Sequence, residues 1–157
     1  VLAELPEPNP IVIVEVHAEA TSEKVAMGWY FNGKVAAVLG THTHIPTADA
    51  RVLPGHLPER EGGAVRRSGA GGVGGTAYIT DLGMCGPVDS VLGRRVDRVL
   101  KHMTTNMHSP FDVAEGNPQV QGVFLEIDEQ SRRATRIEQV IVAADESQPP
   151  FSAGSGE

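Results

Sequence analysis

Three histidines stand at the ends of two apolar runs, where a folded chain could bring imidazole nitrogens onto a metal ion. His17 closes Ile11-Val12-Ile13-Val14-Glu15-Val16, and His42 and His44 follow Val35-Ala36-Ala37-Val38-Leu39-Gly40 in the segment Gly40-Thr41-His42-Thr43-His44. Strand geometry would place His42 and His44 on one face, about 6.6 to 7 Å apart along the chain. Both could then aim at one metal, or one each at two neighbouring metals. Neutral imidazole is the commonest nitrogen ligand for zinc, iron and manganese. Strand ends in open α/β sheets are also where ligand sites gather. The pattern reads as half of a metal site.

The elements that must position these residues can be traced along the chain. Pro6-Glu7-Pro8-Asn9-Pro10 is a rigid connector that ends any preceding helix. Ile11 to Val16 reads as a strand buried on both faces, as in a parallel sheet. Thr21 or Ser22 is a suitable N-cap, with Glu23 in the first turn of a helix running to about Phe31. Asn32-Gly33 is its stop, and Val35 to Leu39 is the next strand. This strand-helix-strand unit predicts a right-handed crossover in an α/β fold.

Further along, Pro54 to Gly75 holds eight glycines in 22 residues together with Arg60, Arg66 and Arg67. With no hydrophobic period, it predicts a mobile surface loop. Thr76 to Thr80 resumes a strand that ends in Asp81-Leu82-Gly83-Met84-Cys85-Gly86-Pro87. Helical periodicity covers Arg94 to Met103, with Val96, Val99, Leu100 and Met103 on one face. Val120 to Ile127 and Arg136 to Val142 read as an antiparallel hairpin joined at Asp128-Glu129-Gln130-Ser131-Arg132. The tail, residues 144–157, is rich in Ser, Pro and Gly and predicts disorder.

Length and composition bound the function. At 157 residues the chain fits one domain with a real core. Its net charge of −7 argues against stable nucleic-acid binding, which needs a basic surface. A small phosphorylated substrate remains compatible, because a metal cluster supplies local positive charge. One cysteine, Cys85, excludes an intrachain disulfide and suits a reducing compartment. No run approaches the roughly 20 apolar residues of a membrane span, and no secretory leader is visible; a cytoplasmic protein is expected. The opening at Val1, with Leu2-Ala3-Glu4-Leu5 reading like the tail of a helix, leads us to expect a piece of a longer protein.

Three longer motifs are highly specific. They are His17-Ala18-Glu19-Ala20-Thr21-Ser22-Glu23-Lys24 with Met27-Gly28-Trp29, then Gly40 to Asp49 (Gly-Thr-His-Thr-His-Ile-Pro-Thr-Ala-Asp), then Gly75 to Met84 (Gly-Thr-Ala-Tyr-Ile-Thr-Asp-Leu-Gly-Met). Together they resemble the YmdB-like family of bacterial metallophosphoesterases over about residues 11 to 142. The resemblance implies that residues 1–143 are the C-terminal portion of a calcineurin-like α/β sandwich, mixed sheets flanked by helices. It implies two metals, iron or manganese with zinc as a further option, and hydrolysis of phosphodiesters such as 2′,3′-cyclic nucleotides. By motif, His17 and His42 would bind one metal and His44 the other. Two metals about 3.5 to 4 Å apart clamp phosphoryl oxygens and activate a water or hydroxide. The outer nitrogens of the imidazoles need acceptors, for which Glu15 and Glu19 are placed at i±2 from His17.

The same resemblance marks what this sequence does not contain. The family's remaining ligands are an aspartate after the first strand, a glutamate beside an asparagine, and an asparagine in Gly-Asn-His, next to the catalytic histidine. The chain has no Gly-Asp, Glu-Asn or Gly-Asn-His, and Gly116-Asn117 is followed by Pro118. No catalytic residue is therefore assigned, and substrate-binding residues stay unassigned. The chain alone is expected to be inactive. Glu15 stands where an aspartate is expected, and residues 56–74 look like an insertion.

Blander readings apply elsewhere. His56 reads as a loop residue, and His102 and His108 lie around a helix end where a cation suits the dipole. Asp81 reads as an Asx-turn residue in preference to a support for a metal ligand, and Cys85 as structural. Trp29 and Met27 are spaced for packing, Arg66-Arg67 for solvent. Thr41, Thr43 and Thr47 could donate hydrogen bonds near a phosphate. Three functional readings follow: part of a two-metal phosphodiesterase, a non-catalytic metal- or partner-binding remnant, or a mononuclear zinc hydrolase on His17, His42 and His44. A homo-oligomer, in which a partner chain supplies the absent ligands, is left open.

Overall fold

The computed structural model describes residues 10–55, 60–61, 64–65 and 74–144. Most of the insertion at 56–74, including His56, Arg66 and Arg67, and all of the tail after Ala144 lie outside the described residues.

The first of two compact units holds the chain through Met84 together with Gln121–Val140. Strand β1 (Ile13–His17) leads into helix α1 (Thr21–Phe31) and strand β2 (Ala37–Thr41), and β3 (Arg51–Leu53) follows. Two two-residue strands, β4 (Arg60–Glu61) and β5 (Ala64–Val65), pair within the glycine-rich segment before β6 (Thr76–Ile79). The centre of the unit is a four-stranded sheet in the order β1-β2-β6-β3. β1 and β2 pair in parallel from Ile13↔Ala37 to His17↔Thr41. β6 joins β2 in parallel, and β3 runs antiparallel on its other side. The sheet is therefore mixed, as expected.

Each face of the sheet has its own cover. Val35, Val38, Leu53 and Tyr78 form one core with Val14 and Val16 of β1 and Val25, Trp29 and Phe31 around α1. The other face is built on Ala37 and Ala77, over which pack Leu125, Ala134 and Ile137. Those three belong to strands β8 (Pro118–Ile127) and β9 (Ala134–Ala143). Small alanines on this face allow close approach, since a dense interior tolerates no unfilled methyl-sized gap. The β8–β9 turn is tied by Asp128, whose carboxylate accepts from the Ser131 N–H (2.7 Å) and hydroxyl (2.6 Å).

Several sequence expectations shift here. Among the described residues β1 is an edge strand flanked by β2 alone, with Ile13 half exposed, not a strand buried on both faces. The N-cap of α1 is Ala20, without a side-chain cap, one position before Thr21. β2 begins at Ala37 and not at Val35, because pairing with β1 fixes its register. The Asn32-Gly33 stop holds, with Gly33 at φ +77°.

Among the described residues the second unit comprises Cys85–Val120 and residues 141–144. Strand β7 (Cys85–Pro87) pairs antiparallel with the start of β8, and helix α2 spans Val96–Thr105. On the predicted apolar face of α2 only Val99 is buried; Leu100 and Met103 are exposed. Cys85 is an exposed free thiol. Among the described residues no helix is long and apolar enough to cross a membrane.

Candidate metal centre

His17 is the last residue of β1, directly paired with Thr41 at the end of β2. Parallel strands in register bring the two ends of the apolar runs together, so the residue after Thr41 arrives beside His17. That residue, His42, is no longer in the strand. Its φ is +103°, and that of His44 is +66°, so the alternation expected of a strand stops at Thr41. Positive φ in a non-glycine residue costs about 1–3 kcal/mol and persists only where the surroundings impose it.

The rings of His17 and His42 meet edge to face with centroids 4.8 Å apart. His17 Nε2 and His42 Nδ1 face each other at 3.0 Å. The remaining nitrogens fix the tautomers. The Thr41 hydroxyl donates to Glu15 Oε1 at 2.9 Å, so it accepts from His17 Nδ1–H at 3.0 Å. His42 Nε2–H donates to the Glu19 carboxylate at 2.6 Å. With both outer nitrogens committed as donors, the facing pair can share one proton or, with both rings neutral, offer a lone pair each to a cation. Two nitrogens bound at a right angle to one ion, each at about 2.1 Å, would stand about 3.0 Å apart. The pair fits one cation, and each ring carries the outer acceptor typical of metal-bound histidine. Both glutamates at i±2 from His17 therefore take part, Glu15 on His17 through Thr41 and Glu19 on His42.

His44 is not drawn into this pair. It is exposed, and among the described residues no three His, Cys, Asp or Glu side chains form a metal-holding set. The three threonines commit their hydroxyl protons to protein acceptors: Thr41 to Glu15, Thr43 to the Ile45 carbonyl at 3.3 Å, and Thr47 to Asp49 at 2.6 Å.

Beneath the histidine segment lies a feature that the sequence reading missed. Lys24 of α1 and Asp81 after β6 are both fully buried and joined at 2.9 Å. Lys24 Nζ also donates to the Thr41 carbonyl at 3.0 Å, and Asp81 Oδ2 accepts the Thr43 N–H at 2.9 Å. Asp81 Oδ1 accepts the Gly83 N–H at 3.0 Å, the Asx turn expected of it. Burial pushes the Asp81 carboxyl pKa up, but Lys24 and the Gly83 and Thr43 N–H groups outweigh it and hold it below the usual value. Removing one partner of such a pair strands the other charge and costs about 3–5 kcal/mol. Gly40 makes room for it: a Cβ there would collide with the Thr80 carbonyl oxygen and sit 2.9 Å from Lys24 Cδ.

A second carboxylate, Asp49, secures the far end of the segment. It accepts from the Thr47 hydroxyl, from the Thr80 hydroxyl at 2.6 Å and from the Thr80 N–H at 3.1 Å. Thr80 in turn meets the buried Tyr78 hydroxyl at 2.9 Å. Burial works to raise the Asp49 pKa, and these donors bring it below the usual value.

Comparison with known proteins finds several relatives of the chain. The 2′,3′-cyclic-nucleotide 2′-phosphodiesterase of Bacillus subtilis (strain 168) is 42% identical over 144 residues, covering 92% of this chain and 47% of that protein. The crystal structure of a hypothetical protein from Thermus thermophilus superposes with a TM-score of 0.71 at 37% identity, over 92% of this chain and 48% of that one. The crystal structure of a novel phosphatase from Mycoplasma pneumoniae gives a TM-score of 0.67 at 34% identity, over 83% of this chain and 40% of that one. The chain thus spans about half the length of the relatives it matches. Residues 1–140 match the family described as YmdB-like protein, and the chain belongs to that family.

Proposed function

We propose that this chain supplies the histidine side of a metal-dependent phosphodiesterase site, with residues 1–143 forming the C-terminal portion of the catalytic domain. His17 and His42 hold one metal, and His44 serves a second. The observation that carries the reading is the pair of facing nitrogens on His17 and His42, each with its outer nitrogen committed to an acceptor. The activity named for the Bacillus subtilis relative gives the reaction class, and 2′,3′-cyclic nucleotides are the substrates to try first. Iron or manganese suits a mixed set of imidazole and oxygen ligands, and zinc also accepts imidazole.

The bound metals would supply Lewis-acid stabilisation of the phosphoryl oxygens and a water activated for attack. The protein's own contribution is positional. Glu15 and Thr41 keep His17 Nε2 free of a proton, Glu19 does the same for His42 Nδ1, and neutral ligands leave the site positive toward an anionic diester.

A second reading, a metal- or partner-binding remnant without turnover, is favoured by one observation: no three-ligand set occurs among the described residues. Metal content and turnover of 2′,3′-cyclic AMP separate the two, measured on this chain and on the product of its full reading frame. Bound manganese or iron with turnover in the full product, both lost in His42→Ala, establishes the phosphodiesterase. Metal without turnover in either form establishes the remnant. Metal content unchanged by His17→Ala and His42→Ala would defeat the ligand assignment.

A further inference from the structure

We propose that Lys24 and Asp81 are positioning residues, a buried ion pair that holds His42 in its left-handed backbone conformation so that Nδ1 meets His17. The inference rests on the reading of His17 and His42 as metal ligands.

The argument is one of connectivity. The residue before His42 is tied to one member of the pair, through the Thr41 carbonyl and Lys24 Nζ. The residue after it is tied to the other, through the Thr43 N–H and Asp81 Oδ2. Lys24 and Asp81 then close the ring at 2.9 Å. His42 is thus spanned on both sides by a link that solvent does not reach, since both side chains are fully buried. A link of this kind is what a φ of +103° requires.

The far side of the link is itself fixed. Asp81 donates its N–H to the Thr47 hydroxyl at 2.9 Å and its carbonyl accepts the Thr47 N–H at 3.1 Å. The contact between His42 and Glu19 is exposed by comparison, with 87% of the Glu19 side chain open to solvent. It can select the tautomer but is poorly placed to impose the backbone. A purely structural role for the ion pair would explain its burial. It would not explain why, beside the Asx turn to Gly83, its other two hydrogen bonds go to the two peptide groups flanking the histidine.

The test separates position from stability. Lys24→Met/Asp81→Leu removes both buried charges together, a change that is often neutral for folding, and removes both ties to the His42 segment. In the wild type, 15N NMR of the metal-free chain should show the outer nitrogens, His17 Nδ1 and His42 Nε2, each held as N–H in a single state. In the double variant, melting like the wild type, His42 should show tautomer averaging and Mn2+ affinity should fall about 10- to 100-fold. Unchanged tautomer and affinity would overturn the positioning role and leave the metal reading intact. Tautomer averaging in the variant, with no Mn2+ bound even by the wild type, would support the positioning and overturn the metal reading instead. If the apolar pair does not fold, Lys24→Gln/Asp81→Asn keeps a donor for Thr41 and an acceptor for Thr43. It should preserve the His42 tautomer, and its loss in a folded protein would sink the proposal.

Discussion

At the scale of single residues, the relay Glu15–Thr41–His17 is where the proposed metal site and the fold can be told apart. All three side chains are at least partly exposed, where a hydrogen bond contributes about 0.5–1.5 kcal/mol net. Thr41→Val keeps the shape and removes the hydroxyl. We expect a stability loss within about 1 kcal/mol by urea titration, against a 10- to 100-fold loss of Mn2+ affinity by calorimetry. A large stability loss with unchanged affinity would assign Thr41 to the fold alone. Gly40 behaves in the opposite way. The methyl of Gly40→Ala would overlap the Thr80 carbonyl, a rigid backbone neighbour, so we expect a destabilisation of at least about 3 kcal/mol, read as a shifted urea midpoint. The histidines stood out in the sequence through the His-Thr-His pair and the motifs around them, since a lone histidine at the end of an apolar strand is ordinarily a satisfied structural residue. Lys24 was not legible. A lysine in a helix is ordinarily solvated and almost never fully buried unless paired, and its partner lies 57 residues away.

At the scale of elements, α1 runs over the residues that the periodicity indicated, but its start is weaker than the sequence suggested. Ala20 occupies the N-cap with extended backbone and no side-chain acceptor, while Glu23 already stands at the third helical position. Ala20→Ser would complete a capping box with Glu23. We expect a gain of about 0.5–2 kcal/mol, visible as a raised melting temperature; no gain would mean the first turn is already satisfied in solution. The register of β2 shows why strand limits were only partly legible. Val35 and Ala36 are as apolar and as buried as Ala37 and Val38, so hydropathy alone does not mark where pairing with β1 begins. Short β3 was invisible for a similar reason: Arg51-Val52-Leu53 carries no pattern of its own and is a strand because β6 presents an open edge to it.

At the scale of the whole molecule, acid sensitivity follows from two carboxylates. Asp49 and Asp81 both have folded pKa values below the unperturbed 3.8. Groups depressed in this way contribute stability that is fully present above the unfolded pKa and lost as pH falls through the folded one. Stability owed to them should be flat from neutral pH down to about 4 and fall below it. Urea unfolding from neutral pH into the acid range checks this. In Asp49→Asn the acid limb should be shallower at a lower plateau, and a limb identical to the wild type would remove Asp49 from the account. The fold class was readable from the strand-helix-strand unit, and the family resemblance from the motifs around the histidines. The two-unit division was not, because β8 and β9 each contribute residues to both units with no break in composition.

The left-handed backbone at His42 has an evolutionary consequence. Glycine would occupy φ +103° without penalty, so selection for stability alone should favour losing the imidazole. We expect His42→Gly to raise unfolding free energy by about 1 kcal/mol while abolishing metal binding, a trade of stability against function. On the proposed reading of His42 as a ligand, a lineage that kept the fold but gave up the chemistry would be expected to drift to glycine at this position first.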